Sequence, residues 1–226
     1  MYTRMNDLNH ILNSEILGVS TNIDTPYTTY LMENNTPRLV NKRILIMWKI
    51  DKTFEFAYGH RVYTQTLNSK YADDLKCACR HLHGHEGKVH VFLSSNKLDN
   101  TGMVTDFRHL EWLKKWINLY IDHKFILAKA DPLYQKMIGN KKLVPVYVTD
   151  TTLVAGYEVD LTDVEINTPE YEYFEGFLIV DFVPTSENLS QWMGKLVNEK
   201  MQNLGVKTVQ IDWWETPKSR STWIAD

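Results

Sequence analysis

An α+β fold, an antiparallel sheet with two helices packed on one face, is predicted by three features of this sequence. Strand-like stretches gather ahead of Asp106, two amphipathic helical stripes follow, and one more alternating run comes after the second stripe. Strands grouped together and then packed by helices, rather than strict strand–helix alternation, is the order of an α+β unit.

The elements follow in chain order. Residues 1–40 are rich in Asn and Thr, carry Pro26 and Pro37 and hold only scattered apolar residues. They read as an N-terminal extension with one short helix near Leu8–Ile16, and 41–226 as the main domain. From Lys42 to Tyr58 the chain is dominated by Ile, Trp and Phe, which favour a long strand. Lys88–Leu93 alternates Lys, His and Phe with Val, Val and Leu, the period of a half-buried strand. Asp99-Asn100-Thr101-Gly102 reads as the turn of a hairpin leading into Met103–Thr105. After Asp106, a good N-cap, Leu110, Leu113, Trp116, Ile117 and Tyr120 share one helical face. Residues 129–181 read as an insertion before the second helix, with strand-like Leu143–Val148 and Phe177–Asp181 separated by an acidic, Tyr-rich stretch. Pro184-Thr185 then opens a second stripe of Leu189, Trp192, Met193, Leu196, Val197 and Leu204, with Gly205 placed to end it. The last strand is Val206–Trp214, in which Val209, Ile211 and Trp213 alternate.

Composition narrows the function classes. Hydrophobic residues at 43% and charged residues at 23% are globular proportions, which argues against wholesale disorder. Net charge is -3 and no basic stripe stands out, so a nucleic-acid partner is not expected. The longest strongly apolar run, Ile44–Trp48, is far short of the ~20 residues of a membrane span, and no basic-then-apolar signal opens the chain. Cys77 and Cys79, two apart, cannot staple a fold, and a reducing, cytoplasmic setting fits them.

The densest chemical cluster is Cys77-Ala78-Cys79-Arg80-His81-Leu82-His83-Gly84-His85. With Gly84 extended, His83 and His85 leave the same face of a strand, as a pair of zinc ligands does. A third ligand with an open fourth position makes such a site catalytic. Spacing alone leaves that ligand open among His60, His81, His90, His109 and His123. A thiol four residues before His83 can sit beside the metal, where positive charge favours thiolate. Phosphate-binding, dinucleotide and nucleophile-elbow motifs and His-Glu-x-x-His are missing. Asp122-His123, directly after the first helix, is the remaining pair suited to proton transfer. Taken alone, an Asp-His dipeptide is more often a solvated helix end. Glu215 either accepts paired hydrogen bonds from a planar amidine-like edge or is simply exposed.

The ordered blocks Phe54-Glu55-Phe56-Ala57-Tyr58-Gly59-His60-Arg61, Cys79-Arg80-His81-Leu82-His83-Gly84-His85 and Gly102-Met103-Val104-Thr105-Asp106-Phe107 resemble the 6-pyruvoyl-tetrahydropterin synthase / 6-carboxy-tetrahydropterin synthase family. Ile121-Asp122-His123, Pro184-Thr185-Ser186-Glu187-Asn188-Leu189 and Glu215-Thr216 continue the match in order. It covers about residues 44–128 and 182–217. The resemblance implies a tunnelling-fold (T-fold) unit, with Zn2+ held by His60, His83 and His85 and Cys79 as the proton-abstracting thiol. It further implies an Asp122–His123 relay reaching the site from a neighbouring subunit, with Glu215 anchoring the pterin and joining the relay and Thr185 beside that pocket. The substrate implied is 7,8-dihydroneopterin triphosphate, and the assembly a homo-oligomer, a trimer or a dimer of trimers (a homohexamer).

Within the family the short Arg80-His81-Leu82 spacer resembles the carboxy-forming branch. The expected activity is therefore 6-carboxy-5,6,7,8-tetrahydropterin synthase, a carbon–carbon lyase of the 7-deazaguanine (queuosine) precursor pathway. The alternatives are 6-pyruvoyl-tetrahydropterin synthase, whose thiol would be Cys77, and a non-catalytic pterin- or zinc-binding relative. Three positions depart from the family's usual pattern: Tyr58-Gly59 before the first histidine, Glu86-Gly87 after His85, and Leu127 where an Asn is common.

Overall fold

The computed structural model describes residues 28–33, 36–41, 47–72 and 77–225, with side chains from Met47 onward. The chain divides into two compact units, Met1–Ile46 and Met47–Asp226. The helix expected near Leu8–Ile16 and the first residues of the expected long strand lie outside the described residues. In the first unit β1 (Thr28–Glu33) and β2 (Thr36–Asn41) pair antiparallel, Thr28 opposite Asn41 and Glu33 opposite Thr36.

Two 13-residue strands form the middle of the second unit. β3 (Trp48–His60) and β4 (His83–Ser95) pair antiparallel over their whole length, from Trp48 opposite Ser95 to His60 opposite His83. Their alternation decides the buried face: Phe54, Phe56, Tyr58 and His60 on β3 and Val89, Val91 and Leu93 on β4 are all buried. Two helices cover that face. α1 (Glu111–Tyr120) contributes Leu113, Trp116 and Ile117, and the longest helix, given below as α4, contributes Leu189, Met193, Leu196 and Val197 to the same core. Asp106 accepts from the Arg108 N–H at 2.7 Å and so caps a short 3-10 turn that runs into α1.

The sheet is mixed, which corrects the antiparallel sheet expected from sequence. Its order is β10 (Ser219–Ile224), β9 (Lys207–Thr216), β4, β3, β5 (Lys124–Ala128), β8 (Phe177–Val180), β7 (Val154–Val159) and β6 (Leu143–Tyr147), with β5 parallel to β3 and β8 parallel to β5. The reason is the helical return. β4 ends opposite the start of β3, and α1 then carries the chain back, so β5 starts beside Tyr58 and runs in the direction of β3. The Asp99–Gly102 turn does form, with the Gly102 N–H on the Asp99 carbonyl at 3.0 Å and Gly102 at φ 81. Met103–Thr105 builds no strand; the chain goes directly into the Asp106 cap.

Residues 129–181 belong to the same sheet. They carry α2 (Tyr134–Met137), β6 (Leu143–Tyr147), β7 (Val154–Val159), α3 (Pro169–Glu175) and β8. A second core of Leu127, Ile138, Val159, Phe177 and Ile179 lies on the other face of this half, packed by Tyr134, Met137 and Phe174. β8 is therefore buried at all four positions, and parallel strands covered on both faces read as continuous apolar runs. The helices are also bolted to this half: Trp116 Nε1 donates to the Tyr147 carbonyl at 3.1 Å and Trp192 Nε1 to the Ala155 carbonyl at 2.8 Å.

α4 (Ser186–Met201) starts on Thr185, whose hydroxyl accepts from the Asn188 N–H at 3.3 Å, and Gly205 at φ 73 ends the 3-10 turn after it. β9 (Lys207–Thr216) then pairs with β4, and β10 (Ser219–Ile224) folds back on β9. Trp223 lies directly on α4, where a Cβ at Gly194 would meet its ring at 2.3 Å. A helix interior normally disfavours glycine, so its presence here is set by that ring. Gly194→Ala should therefore lose about 1–3 kcal/mol in urea unfolding through overpacking. Adding Trp223→Leu should return part of the loss; a neutral Gly194→Ala would show that the indole moves aside freely.

Candidate functional site

The topology brings four chain segments to one end of the sheet. β3 ends there at His60, β4 begins there at His83, β9 reaches it at Glu215, and the Pro184-Thr185 turn enters α4 beside it. His60 and His83 are register partners, as are Tyr58 and His85, so all three imidazoles leave the helix-covered face. Each offers a ring nitrogen within 4.8 Å of the other two, and the ring centroids lie 4.6 to 5.0 Å apart.

Hydrogen bonding fixes the tautomers. His60 Nδ1 lies 2.6 Å from the Pro184 carbonyl and His83 Nδ1 2.8 Å from the His81 carbonyl. A carbonyl only accepts, so both Nδ1 atoms carry the proton and both Nε2 atoms present lone pairs. His60 Nε2 and His85 Nε2 are 3.1 Å apart. Two imidazole ligands on a tetrahedral metal with bonds of about 2.0–2.1 Å have nitrogens roughly 3.3 Å apart, so a shared cation fits this pair. Burial and the neighbouring His83 and His85 push His60 down to about 4, against a rise from the Pro184 bond. His85 is lowered by burial and by His83. Neutral rings are the ligand form.

The competing histidines are elsewhere. His81 is exposed and gives only its carbonyl. His90 bonds Asp51 at 2.5 Å on the opposite face of the sheet, and His109 bonds the Thr105 hydroxyl at 2.6 Å.

Glu215 is half-buried, with Oε1 3.7 Å from His60 Nε2. Burial and the Glu187 carboxylate push its carboxyl up, partly offset by His83. Cys79 lies on the 3-10 turn Ala78–Arg80, and its carbonyl accepts from the Val62 N–H at 2.7 Å, two residues beyond His60. Burial, a hydrogen bond with the Cys77 thiol and the charge of Glu215 raise the Cys79 thiol. Thr185 serves as the α4 cap described above, beside the carbonyl that holds His60.

Asp122 and His123 are placed apart from the three histidines. Asp122 Oδ1 accepts from the Ala57 N–H at 2.8 Å and lies 3.0 Å from His123 Nδ1, while the His123 N–H donates to the Ala57 carbonyl at 2.7 Å. His123 sits at φ 61 with its side chain 82% exposed. Ala57 faces away from Tyr58 and His60 on β3. Three groups at the site had no role assigned from sequence. The Pro184 carbonyl and Glu187 stood only within a family-like block, and Tyr58, noted as a departure, shares the parity of Phe56 and His60 and was legible in principle.

The buried His60 gives the metal-free chain a pH dependence. Its folded value, about 4, lies below the ordinary value of about 6.5, so the unfolded chain takes up the proton first as pH falls. The stability from neutral His60 is complete above pH 6.5 and is lost on descent towards pH 4. This group should contribute up to about 3 kcal/mol to the loss between pH 7 and pH 4. Urea unfolding of chelator-treated protein should show that slope, and His60→Gln should flatten it; parallel slopes would contradict the assignment.

The family model for 6-pyruvoyl tetrahydropterin synthase matches residues 49–224, across the 129–181 stretch that the motif blocks left out. The 6-carboxy-5,6,7,8-tetrahydropterin synthase of Aquifex aeolicus is 28% identical over 183 residues, 77% of this chain and 96% of that protein. The protein of the same name from Rickettsia typhi is 35% identical over 95 residues, 42% of this chain and 62% of its own length. Among solved structures, an uncharacterized protein from Wolinella succinogenes superimposes with a TM-score of 0.73 at 40% identity, covering 80% of this chain and 99% of that one. With a family match over most of its second unit and a histidine group able to hold a metal at the end of its sheet, this chain belongs to the 6-pyruvoyl tetrahydropterin synthase family.

Proposed function

We propose that the chain is a zinc-dependent 6-carboxy-5,6,7,8-tetrahydropterin synthase. With one water it converts 7,8-dihydroneopterin triphosphate to 6-carboxytetrahydropterin, acetaldehyde and triphosphate, in the 7-deazaguanine precursor pathway. The observation that carries this reading is the place of Cys79, four residues before His83 on a turn tied just beyond His60 and close enough for the Glu215 charge to act on its thiol. The names of the Aquifex and Rickettsia relatives support the carboxy-forming branch.

His60, His83 and His85 would hold the zinc. Bound there, zinc supplies a Lewis acid for the substrate's side-chain oxygens and a positive charge beside the thiol. The protein's own groups do the rest. Glu215 accepts paired hydrogen bonds from the 2-amino-pyrimidinone edge of the pterin, and its half-buried carboxylate sets the ring's distance from His60. Thr185 and the α4 N-terminus border that pocket. Cys79 takes the side-chain proton, for which it must lie within hydrogen-bond reach.

The Asp122–His123 pair serves this chemistry from a neighbouring subunit. Supporting this, His123 is 82% exposed, and the pair is anchored on the Ala57 backbone. The outer edges of β10 and β6 pair with no other strand among the described residues, and open edges favour closure with other copies into a trimer or a dimer of trimers. No described helix is long and apolar enough to cross a membrane.

The thiol contact between Cys77 and Cys79 favours a second reading, in which Cys77 is the base and the product is of the 6-pyruvoyl type. Product analysis separates the two. Cys79→Ala should abolish turnover with zinc retained, while Cys77→Ala stays active and still releases acetaldehyde. A pyruvoyl product that depends on Cys77 would replace the first reading with the second.

Two further outcomes are expected. Glu215→Gln should weaken pterin binding by about 2–4 kcal/mol in calorimetry with zinc content unchanged, since an unsatisfied polar edge remains. Mixing inactive Cys79→Ala and His123→Ala subunits should restore part of the activity. No recovery after confirmed subunit exchange would remove the shared-site reading.

A further inference from the structure

Two residues of the strands that carry the histidines meet in space. Tyr58 stands two residues before His60, and Gly87 two residues after His85. Tyr58 is the register partner of His85 and Gly87 that of Phe56, so the two are diagonal neighbours on the face that carries the histidines. Gly87 is buried, and a Cβ there would meet Phe56 Cε2 at 2.8 Å, Tyr58 Cε1 at 2.8 Å and Tyr58 Cδ1 at 2.9 Å. The Tyr58 ring fills the space into which a side chain at position 87 would project.

That ring is 3% exposed and firmly held. It meets His60 edge-on with centroids 5.3 Å apart, lies 5.5 Å from His85 at an interplanar angle of 40°, and takes further edge contacts from Phe56 and Trp213. Trp213 Nε1 donates to its hydroxyl at 3.0 Å, which fixes the far end of the phenol. Two of the three rings of the histidine group therefore contact one phenol, His60 edge-on at 63° and His85 tilted by 40°, and that phenol is held at its far end. Apart from His83 of the group itself, no other described aromatic ring lies against both His60 and His85.

We propose that Tyr58 is the positioning residue of the metal centre: its ring, admitted by the absent side chain at Gly87, orients His60 and His85 so that both Nε2 atoms converge. The ring is the functional part, and it is required on this face rather than on this strand. An aromatic ring projected from position 87 would occupy the same space. This rests on the reading of the three histidines as metal ligands, which the zinc content of the unaltered chain tests separately.

The experiment measures zinc affinity by competition with a chromophoric chelator, the cobalt(II) visible spectrum and the thermal midpoint of the full chain and its variants. Tyr58→Phe should bind zinc within threefold of the unaltered chain with the same cobalt spectrum, although its thermal midpoint falls because buried Trp213 loses its acceptor. Tyr58→Ala should bind zinc at least tenfold more weakly and shift the cobalt bands. The swap Tyr58→Ala with Gly87→Phe should recover zinc affinity to within threefold, whereas Gly87→Phe alone should lose it through the clash with Tyr58. The proposal is overturned if Tyr58→Ala keeps affinity and spectrum, or if Tyr58→Phe loses as much affinity as Tyr58→Ala. If Tyr58→Ala does not fold, the swap decides: a folded, zinc-binding double variant supports the proposal, and an unfolded or zinc-free one overturns it. Absence of zinc from the unaltered chain would instead fail the ligand reading.

Discussion

The antiparallel register of β3 on β4 is the constraint on which the site depends. It sets His60 opposite His83 and Tyr58 opposite His85, and so places three imidazoles on one face at one end of the sheet. A slip of one residue in either strand would turn its ring donors to the opposite face, because side-chain direction alternates with every residue. The same slip would expel Phe54, Phe56, Val89, Val91 and Leu93 from the core. The hydrophobic pattern that holds the register thus also holds the histidines, and binding geometry comes with folding.

Burial near that end then sets the electrostatics. Desolvation lowers His60 and His85 and raises Glu215 and Cys79, so each group is driven towards its neutral form. The Glu187 carboxylate adds to the rise of Glu215. Burial thus works against charge on His60 and His85, and a cation held among the rings would favour the charged forms of the neighbouring carboxyl and thiol. Carbonyls of Pro184 and His81 complete the arrangement by holding the Nδ1 protons on the far side of the rings.

The remaining half of the sheet acts as a support. β5 and β8 run parallel to β3, and the helices that return the chain, α1 and α4, bind by their indoles to the carbonyls of Tyr147 and Ala155. Since the carbonyl that holds His60 belongs to the turn between β8 and α4, the position of that candidate ligand ring depends on packing in residues 129–181 as well as on β3. Half-buried Arg61 and buried Asp131, 3.2 Å apart, tie the residue after His60 to the same stretch.

By itself the sequence determined what short-range patterns encode. Period-two alternation found the strands carrying Val89–Leu93 and Val209–Trp213, and helical stripes with Asp106 and Thr185 as caps found α1 and α4. His83 and His85 declared themselves because extended chain puts residues two apart on one face. β5 escaped, since strands buried on both faces lose their alternation; β8 showed as the strand-like Phe177–Asp181 but its parallel pairing did not, and β7 and β10 were hidden among mixed residues whose pairing partners are remote in sequence. The third member of the histidine group could not follow from spacing: five histidines competed, the family resemblance alone implied His60, and the β3–β4 register, which joins residues 23 to 25 positions apart, brings it to the other two. Tertiary structure alone also decided that Tyr58 fills the void at Gly87 and that His123 faces solvent, because both depend on which chains lie alongside, and no local propensity carries that information.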